Sequence, residues 1–140
     1  MNTKQEFIRL MNTQTEMALA TYTDGWPNVR IVNFYFDKDT KLILFSSFKD
    51  NEKVKEFEAN NKVAFTTIPH YNVEHIKAKG TIQKSLRSVS DVAQYFINKI
   101  PSYQEMIEQA GDDLVLFEIS FDSALVTLDF ENIDTYTLAR

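Results

Sequence analysis

The sequence predicts a mainly β fold with flanking helices, in which six to seven antiparallel strands form a small barrel. Three observations lead to this class. Segments rich in β-branched and aromatic residues outnumber the helical segments, most follow one another in meander order, and one short helix separates the third from the fourth. Such a barrel has free strand edges, so we expect a second subunit to cover them.

The composition limits the functions that the chain can have. Its 140 residues, 44% of them hydrophobic, predict one domain spanning residues 1–140. A net charge of -5 without any basic run argues against nucleic acid as a partner. The absence of cysteine excludes disulfides and thiolate chemistry. Since neither a signal peptide nor a membrane-spanning apolar run is visible, we expect a cytoplasmic protein that makes no membrane contact.

The strands are predicted from apolar runs and turn signals. Asp24-Gly25 indicates a hairpin turn, with Trp26 and Pro27 extending the loop. Gly80 lies inside a strand, which suggests a bulge or a close approach by another segment. The first three strands are predicted to form a meander and the last two a closing hairpin. The predicted strands are residues 17–23, 29–36, 42–45, 63–68, 73–82, 114–121 and 124–128.

Four helices are predicted from capping residues and apolar spacing. Thr3 with Glu6, and Ser102 with Glu105, match the capping-box pattern. Ser88 begins the helix with the longest apolar stripe, which indicates a core or dimer surface. The remaining helix spans about residues 50–60, with Asp50 as its expected N-cap and Val54 and Phe57 as its buried positions.

Two basic residues suggest a phosphate site. The three glycines are too scattered to form a Gly-rich loop, so side chains and a helix end must hold any phosphate. Lys53 falls in the first turn of its helix, where the dipole disfavours a cation unless an anion binds there. Arg30, on a strand of the same sheet, is suited to a bidentate grip on that anion. The alternative is that both are solvated surface charges, and the nearby Asp50 and Glu52 favour this alternative.

The end of the third strand offers further polar groups. Phe45, Ser46 and Ser47 lie where the backbone leaves the ladder, so two hydroxyls and free backbone groups can bond the polar edge of a ring or a ribityl chain. Alternatively, the serines only terminate the strand.

The order of these features resembles the pyridoxamine 5'-phosphate oxidase-like family of FMN-binding split barrels. The hairpin at residues 20–30, Ala-Thr-Tyr-Thr-Asp-Gly-Trp-Pro-Asn-Val-Arg, is similar to the opening hairpin of that family. Leu-Phe-Ser-Ser at residues 44–47, Lys53-Val54 and Asn60-Asn61-Lys62-Val63 are similar to its strand, its phosphate-binding lysine and its helix exit. The resemblance covers residues 17–84 well and the rest in general layout.

The resemblance implies a role for each of these residues. Arg30 would bind the FMN phosphate or ribityl region, and Lys53 would hold the phosphate. The backbone at Ile31 and Val32 would face the isoalloxazine. Phe45 and Ser46 would line the ring and tail, together with Ser47. Members are typically homodimers with two flavins at the interface, and the flavin would exchange electrons or hydride with NAD(P)H or a small-molecule acceptor.

The sequence also departs from the oxidase of that family. Residues 131–140 contain neither the Trp nor the Arg-His pair that engages its substrate, which favours the shorter general-stress branch. The alternatives are a non-catalytic module that holds flavin or haem, and a deazaflavin-type cofactor in the same groove. His70 and His75 are spaced five apart and argue little for a metal, so no metal site is predicted. His70 and Tyr71 fall in a loop between two strands, which favours ordinary loop packing, with a place beside the ring as the alternative.

Overall fold

Antiparallel strands dominate the computed structural model, which describes every residue except Asp50, Asn51 and Arg140 and the side chains of Glu52 and Lys53. A short 3-10 turn, Gly111–Asp113, follows the last helix. The elements in chain order are α1 (Thr3–Thr13), β1 (Glu16–Thr23), β2 (Trp26–Asn33), β3 (Tyr35–Asp37), β4 (Leu42–Phe48), α2 (Glu52–Ala59), β5 (Lys62–Thr67), β6 (His75–Lys84), α3 (Val89–Lys99), α4 (Tyr103–Ala110), β7 (Leu114–Ser120), β8 (Ser123–Thr127) and β9 (Ile133–Thr137).

The strands form one sheet that curls on itself without closing. Its order is β2-β1-β5-β6-β7-β4-β3, and β8 pairs with both β6 and β9. No ladder joins the two end strands, β2 and β3, in the described part of the chain. The predicted class, mainly β with flanking helices in a split barrel, is therefore confirmed, with nine strands among the described residues in place of six or seven.

The first hairpin is tighter than the sequence suggested. Asp24 and Gly25 both have positive φ, 52° and 81°, and form a two-residue turn. Trp26 consequently pairs with Thr23, and Pro27 pairs with Tyr22 instead of extending the loop. Pro27 is tolerated because β2 lies at the edge of the sheet.

The predicted three-stranded meander is right in its two consecutive hairpins but wrong in treating residues 29–36 as one continuous strand. The segment 29–36 is divided at Phe34, and its two parts belong to different hairpins, β1–β2 and β3–β4. The third predicted strand, β4, pairs with β3 and β7 and not with β2. Ladders between distant segments, such as β1–β5 and β4–β7, decide this arrangement, and local patterning does not encode them.

The predicted C-terminal hairpin is also wrong. β7 pairs with β4 and β6, whereas β8 leaves β7 to pair with β6 and β9. The sequence analysis missed β9 because four of its five residues are exposed, so it lacks the alternation that marks a half-buried strand.

Two apolar clusters hold the fold together. The larger fills the barrel, where Phe7 of α1 and Phe45, Phe65 and Phe117 of the sheet are almost completely buried. The smaller, which contains Phe96, packs α3 and α4 against the other face of β4 and β7. Phe57 of α2 closes one end of the barrel by contacting Phe45 and Phe117 edge to face, as its predicted burial requires.

The helix caps only partly follow the sequence pattern. Ser88 and Asp91 form a reciprocal capping box at α3. At α1 the cap is Asn2, because Thr3 instead donates its hydroxyl to Asp134. Ser102 makes no side-chain cap at α4, so neither predicted capping box forms. The expected cap of α2, Asp50, lies outside the described residues. Within the described ranges, no helix is long and apolar enough to cross a bilayer.

Candidate functional site

The sheet is open where the C-terminal halves of β2 and β4 face each other, and we call this stretch the seam. β2 pairs only with β1, and β4 pairs with β3 only through Leu42–Leu44, so the ladders of the described strands leave the facing edges free. A cavity of about 210 Å³ occupies the seam. Backbone groups on free edges need hydrogen-bond partners, which makes the seam suited to a polar planar ligand. The cavity is lined by Ile31, Val32, Asn33, Ser46, Ser47, Phe48, Tyr103, Met106 and Leu114.

Four residues that the sequence singled out thus line one cavity: Ile31, Val32, Ser46 and Ser47. Val32 turns its side chain into the core, whereas Ile31 is 60% exposed on the outer face. The strand interruption at Phe34 carries the chain across the open end of the sheet. The residues come together because two strand ends that are distant in sequence meet there.

The two serines do not act as a pair on one side of the strand. Successive side chains on a strand point to opposite faces. Ser46 points toward α4 and shares a hydrogen bond with the hydroxyl of Tyr103. Burial raises the pKa of Tyr103, although the hydrogen bond with Ser46 opposes this shift. Tyr103 therefore stays a neutral phenol and fixes the orientation of Ser46.

Ser47 and Arg30 leave buried polar atoms without partners. Ser47 shares its face of β4 with Phe45, and Arg30 shares its face of β2 with Val32, so both point to the barrel side of the seam. Ser47 Oγ and Arg30 Nε are both buried, and neither has a hydrogen-bond partner among the described groups. Unsatisfied buried donors of this kind fit a site that is completed by an anionic or polar ligand.

Arg30 already carries one anionic partner within the protein. Its Nη2 forms an ion pair with Glu56 Oε2 of α2, and only 13% of the arginine side chain and 17% of the glutamate side chain are exposed. Thr21 Oγ1 donates to the same oxygen at 2.8 Å, and Asn28 Nδ2 donates to Glu56 Oε1 at 2.9 Å. Partial burial acts to raise the pKa of Glu56, but these hydrogen bonds and the charge of Arg30 hold it below its ordinary value.

The sequence analysis missed Glu56, although one signal was available. Glu56 lies three residues after Lys53, which is one helical turn, so the two residues share a face of α2. Because Glu56 pairs with Arg30, part of the positive charge of Arg30 is already neutralised within the protein before any phosphate binds.

Two other predicted site residues, Phe45 and Lys53, are not among the residues that line the cavity. The side chain of Phe45 is fully buried between Phe57 and Phe117, so only its backbone is available to a ligand in the seam. Lys53 lies in the first turn of α2, as expected, but its side chain is outside the described residues. Its role at a phosphate therefore stays a prediction.

The histidines lie apart from the seam. His75 Nδ1 is 2.7 Å from the carbonyl oxygen of Val73, and the His70 ring contacts Tyr71 edge to face. Among the residues that the structure describes, no group of three or more His, Asp or Glu side chains is arranged to hold a metal ion.

Comparison with known families identifies the protein family to which this split barrel belongs. Residues 10–133 match the family described as pyridoxamine 5'-phosphate oxidase-like. The chain belongs to this family. The resemblance noted in the opening hairpin and in α2 is thereby confirmed for the family. No curated protein matches the sequence.

Solved structures agree with this assignment at the level of the fold. General Stress Protein 26 from Bacillus anthracis aligns with a TM-score of 0.77 at 15% identity, covering 99% of this chain and 100% of that one. A heme binding protein from Mycobacterium smegmatis has a TM-score of 0.78 at 10% identity, covering 98% of this chain but only 58% of that one. An FAD-binding protein from Mesorhizobium loti has a TM-score of 0.64 at 14% identity, covering 86% of this chain and 90% of that one.

Proposed function

We propose that this member of the pyridoxamine 5'-phosphate oxidase-like family is a flavoprotein that binds FMN in the seam and uses it as an oxidoreductase. One observation carries the proposal. The seam combines free backbone edges at Ile31–Asn33 and Ser46–Phe48 with the buried, unpartnered hydroxyl of Ser47. Arg30, whose buried Nε also has no partner among the described groups, precedes Ile31 on β2 and lies outside the lining of the cavity. A flat heteroaromatic ring with a phosphorylated tail uses both kinds of group.

Different residues contact the ring and the phosphate of the ligand. The free edge of β2 at Ile31 and Val32 faces the polar edge of the ring, and Ser46, held by Tyr103, lines it from β4. Arg30 and Lys53 hold the phosphate, with the first turn of α2 adding its free N–H groups. A bound flavin supplies one- and two-electron transfer, while the protein positions the ring and excludes water.

The proposal includes a homodimer with the flavin at the interface. The cavity of about 210 Å³ in one chain is smaller than the roughly 300–1,000 Å³ typical of small-molecule sites. Beside it, Val29 and Ile31 are 65% and 60% exposed on an edge strand. Exposed apolar side chains beside a half-built cavity fit a second chain that covers them and completes the wall.

Titration with flavins tests the cofactor and its phosphate together. Flavin-free protein is expected to bind FMN with a dissociation constant in the micromolar range or tighter, followed by fluorescence quenching. Lys53→Ala should weaken FMN about tenfold without changing riboflavin binding, because only FMN carries the phosphate. Lys55→Ala, on the same helix, is the matched control and should change neither. Absence of FMN binding would rule out the proposal, and equal losses for both flavins would rule out the phosphate assignment.

The competing function is a non-catalytic module that stores or senses its ligand. Bleaching of bound flavin by NAD(P)H, or by another small-molecule donor, supports the oxidoreductase, and a stable oxidised spectrum supports the binder. Haem is the alternative ligand of such a module, because one structural neighbour is a heme binding protein. No histidine is among the residues that line the seam, so the commonest haem ligand is missing from this part of the described chain.

The substrate of the family's oxidase is not part of the proposal. Residues 131–140 lack Trp and an Arg-His pair, and β9 occupies half of this segment as an ordinary edge strand. We propose instead a general-stress-type member of the family that acts on a different small molecule.

A further inference from the structure

A second cavity lies between α1, the turn that joins β3 to β4, and the C-terminal segment. Its volume is about 340 Å³, within the range of small-molecule sites. It shares no lining residue with the seam. We call it the lysine-rimmed pocket, after Lys4, Lys38 and Lys41, which line it together with a set of apolar residues.

The floor of this pocket is aromatic. Phe7 and Phe36 are almost fully buried and meet edge to face, with ring centroids 5.3 Å apart. The ring of Tyr136 packs against Phe7 at 4.7 Å. This floor favours an apolar chain or ring over a fully polar ligand.

The rim has the opposite charge to the protein as a whole. The chain carries 20 acidic and 15 basic residues, yet the lining residues include three lysines and no acid. Lys41 Nζ donates to the carbonyl oxygen of Ala139. Lys4 lies in the first turn of α1, where the helix dipole disfavours a cation unless an anion is present.

The acidic side chains of the surrounding elements are mostly engaged elsewhere. Glu6 pairs with Arg9, Asp37 pairs with Arg87, and Asp134 accepts from Thr3. Asp39, in the β3–β4 turn, does not line the pocket. The ammonium groups of Lys4 and Lys38 have no hydrogen-bond or ion-pair partner among the described residues, so an incoming anion does not have to displace a carboxylate of that part of the chain.

We propose that the lysine-rimmed pocket binds an amphipathic organic acid, whose carboxylate pairs with Lys4 and Lys38 and whose apolar chain lies over Phe7 and Phe36. An anion without an apolar body gains only exposed charge pairs there, which are weak. An apolar molecule without the acid offers no counter-ion to Lys4 and Lys38. The ligand therefore needs both parts.

Calorimetric titration with a series of straight-chain carboxylates tests both parts. Affinity is expected to rise about three- to fourfold per methylene from butyrate toward decanoate, because each methylene leaves water. 1-Decanol and inorganic phosphate, which each carry one part only, should bind much more weakly than decanoate. Affinity that does not depend on chain length would overturn the proposal, and so would equal binding of decanoate and 1-decanol.

Paired lysine variants locate the site. Lys4→Gln with Lys38→Gln should weaken decanoate about tenfold, whereas Lys62→Gln with Lys84→Gln should leave it unchanged. Both pairs should keep FMN binding unaltered, which separates this pocket from the seam. Loss of decanoate binding in the second pair only, or displacement of decanoate by FMN, would contradict the assignment. The chain-length series on the unaltered protein decides the matter even where a variant fails to fold.

Discussion

At the scale of single residues, the site is governed by the competition for Arg30. Its guanidinium is oriented toward Glu56 by an ion pair, and Thr21 and Asn28 hold the carboxylate in place. Arg30 could be identified from the sequence because a basic residue on that strand has a recognisable context. Glu56 could not, since its contact with Arg30 spans 26 residues and exists only once α2 packs against the barrel. The negative charge of the Glu56 carboxylate disfavours a phosphate nearby, but the same carboxylate holds Arg30 in its orientation.

Glu56→Gln separates these two effects. Glutamine keeps an oxygen for Arg30 and Thr21 but removes the negative charge, so we expect FMN binding to strengthen about tenfold and riboflavin binding to stay unchanged. Fluorescence titration of both flavins measures this. Weaker FMN binding in the variant would show instead that the charge of Glu56 is needed to position Arg30.

Lys99 carries the clearest pH-dependent prediction. Its ammonium donates to the carbonyl oxygen of Phe34 at 2.9 Å and lies over the Phe34 ring, but burial lowers its pKa from 10.5 to about 7. Between these values the unfolded chain holds the Lys99 proton and the folded chain releases it, so this group makes the free energy of unfolding rise with pH from about 7 to 10.5.

Lys99→Met removes that contribution. We expect the variant to melt a few degrees higher than the unaltered protein at pH 7, and the difference to shrink toward pH 10. Thermal melts across this range check it, and groups common to both proteins cancel in the comparison. A difference that is constant with pH would show that Lys99 stays charged in the folded state.

At the scale of elements, local sequence signals predicted the strands and turns, whereas the pairing of strands distant in sequence could not be predicted. The Asp24-Gly25 turn and most strands were predictable, because φ preferences and alternation are local properties. The positions of β4 and β8 were not, because each pairs with strands far away in sequence. The seam exists only because of those pairings: β4 turns one edge to β7 and leaves the other free beside β2.

Gly80 shows how closely two of these strands approach. A Cβ at this position would lie 2.4 Å from the carbonyl oxygen of Ser120 and 2.9 Å from Ile119 Cγ2, so the close approach predicted from the sequence is present. Gly80→Ala must push β6 and β7 apart, and we expect it to lower the free energy of unfolding by roughly 1–3 kcal/mol. Gly111→Ala is the control.

The control position is less crowded and has helical φ. The nearest atom to a Cβ at Gly111 is a side-chain carbon of Ile107 at 3.3 Å. Urea denaturation of both variants compares the two sites. Equal stability of Gly80→Ala and the unaltered protein would mean that the two strands can separate at no cost.

At the scale of the whole molecule, the strand order determines where the sheet is open. The sheet ends at β2 and β3 without closing, the seam lies at that opening, and the exposed side chains of Val29 and Ile31 adjoin it. The sequence indicated a barrel whose edges need covering, but the location of the opening required the strand order. A symmetric dimer would bury this edge in both chains.

Val29→Glu tests that arrangement without touching the lining of the seam. Glutamate at an exposed position should leave the fold of one chain intact but place two charges in an apolar interface, so we expect the dimer to dissociate into monomers. Analytical ultracentrifugation measures this, with Leu86→Glu as a control at a fully exposed apolar residue away from this edge. Identical sedimentation of the Val29→Glu variant and the unaltered protein would contradict an interface at this edge.

The central claim is that the seam between β2 and β4 holds FMN, and amide hydrogen exchange locates the ligand directly. Addition of saturating FMN should slow exchange at Ile31–Asn33 and Ser46–Phe48, whose facing edges are free of ladders among the described strands, and leave the pocket around Lys4 and Lys38 unchanged. Protection confined to other segments, or none at saturating FMN, would contradict the account.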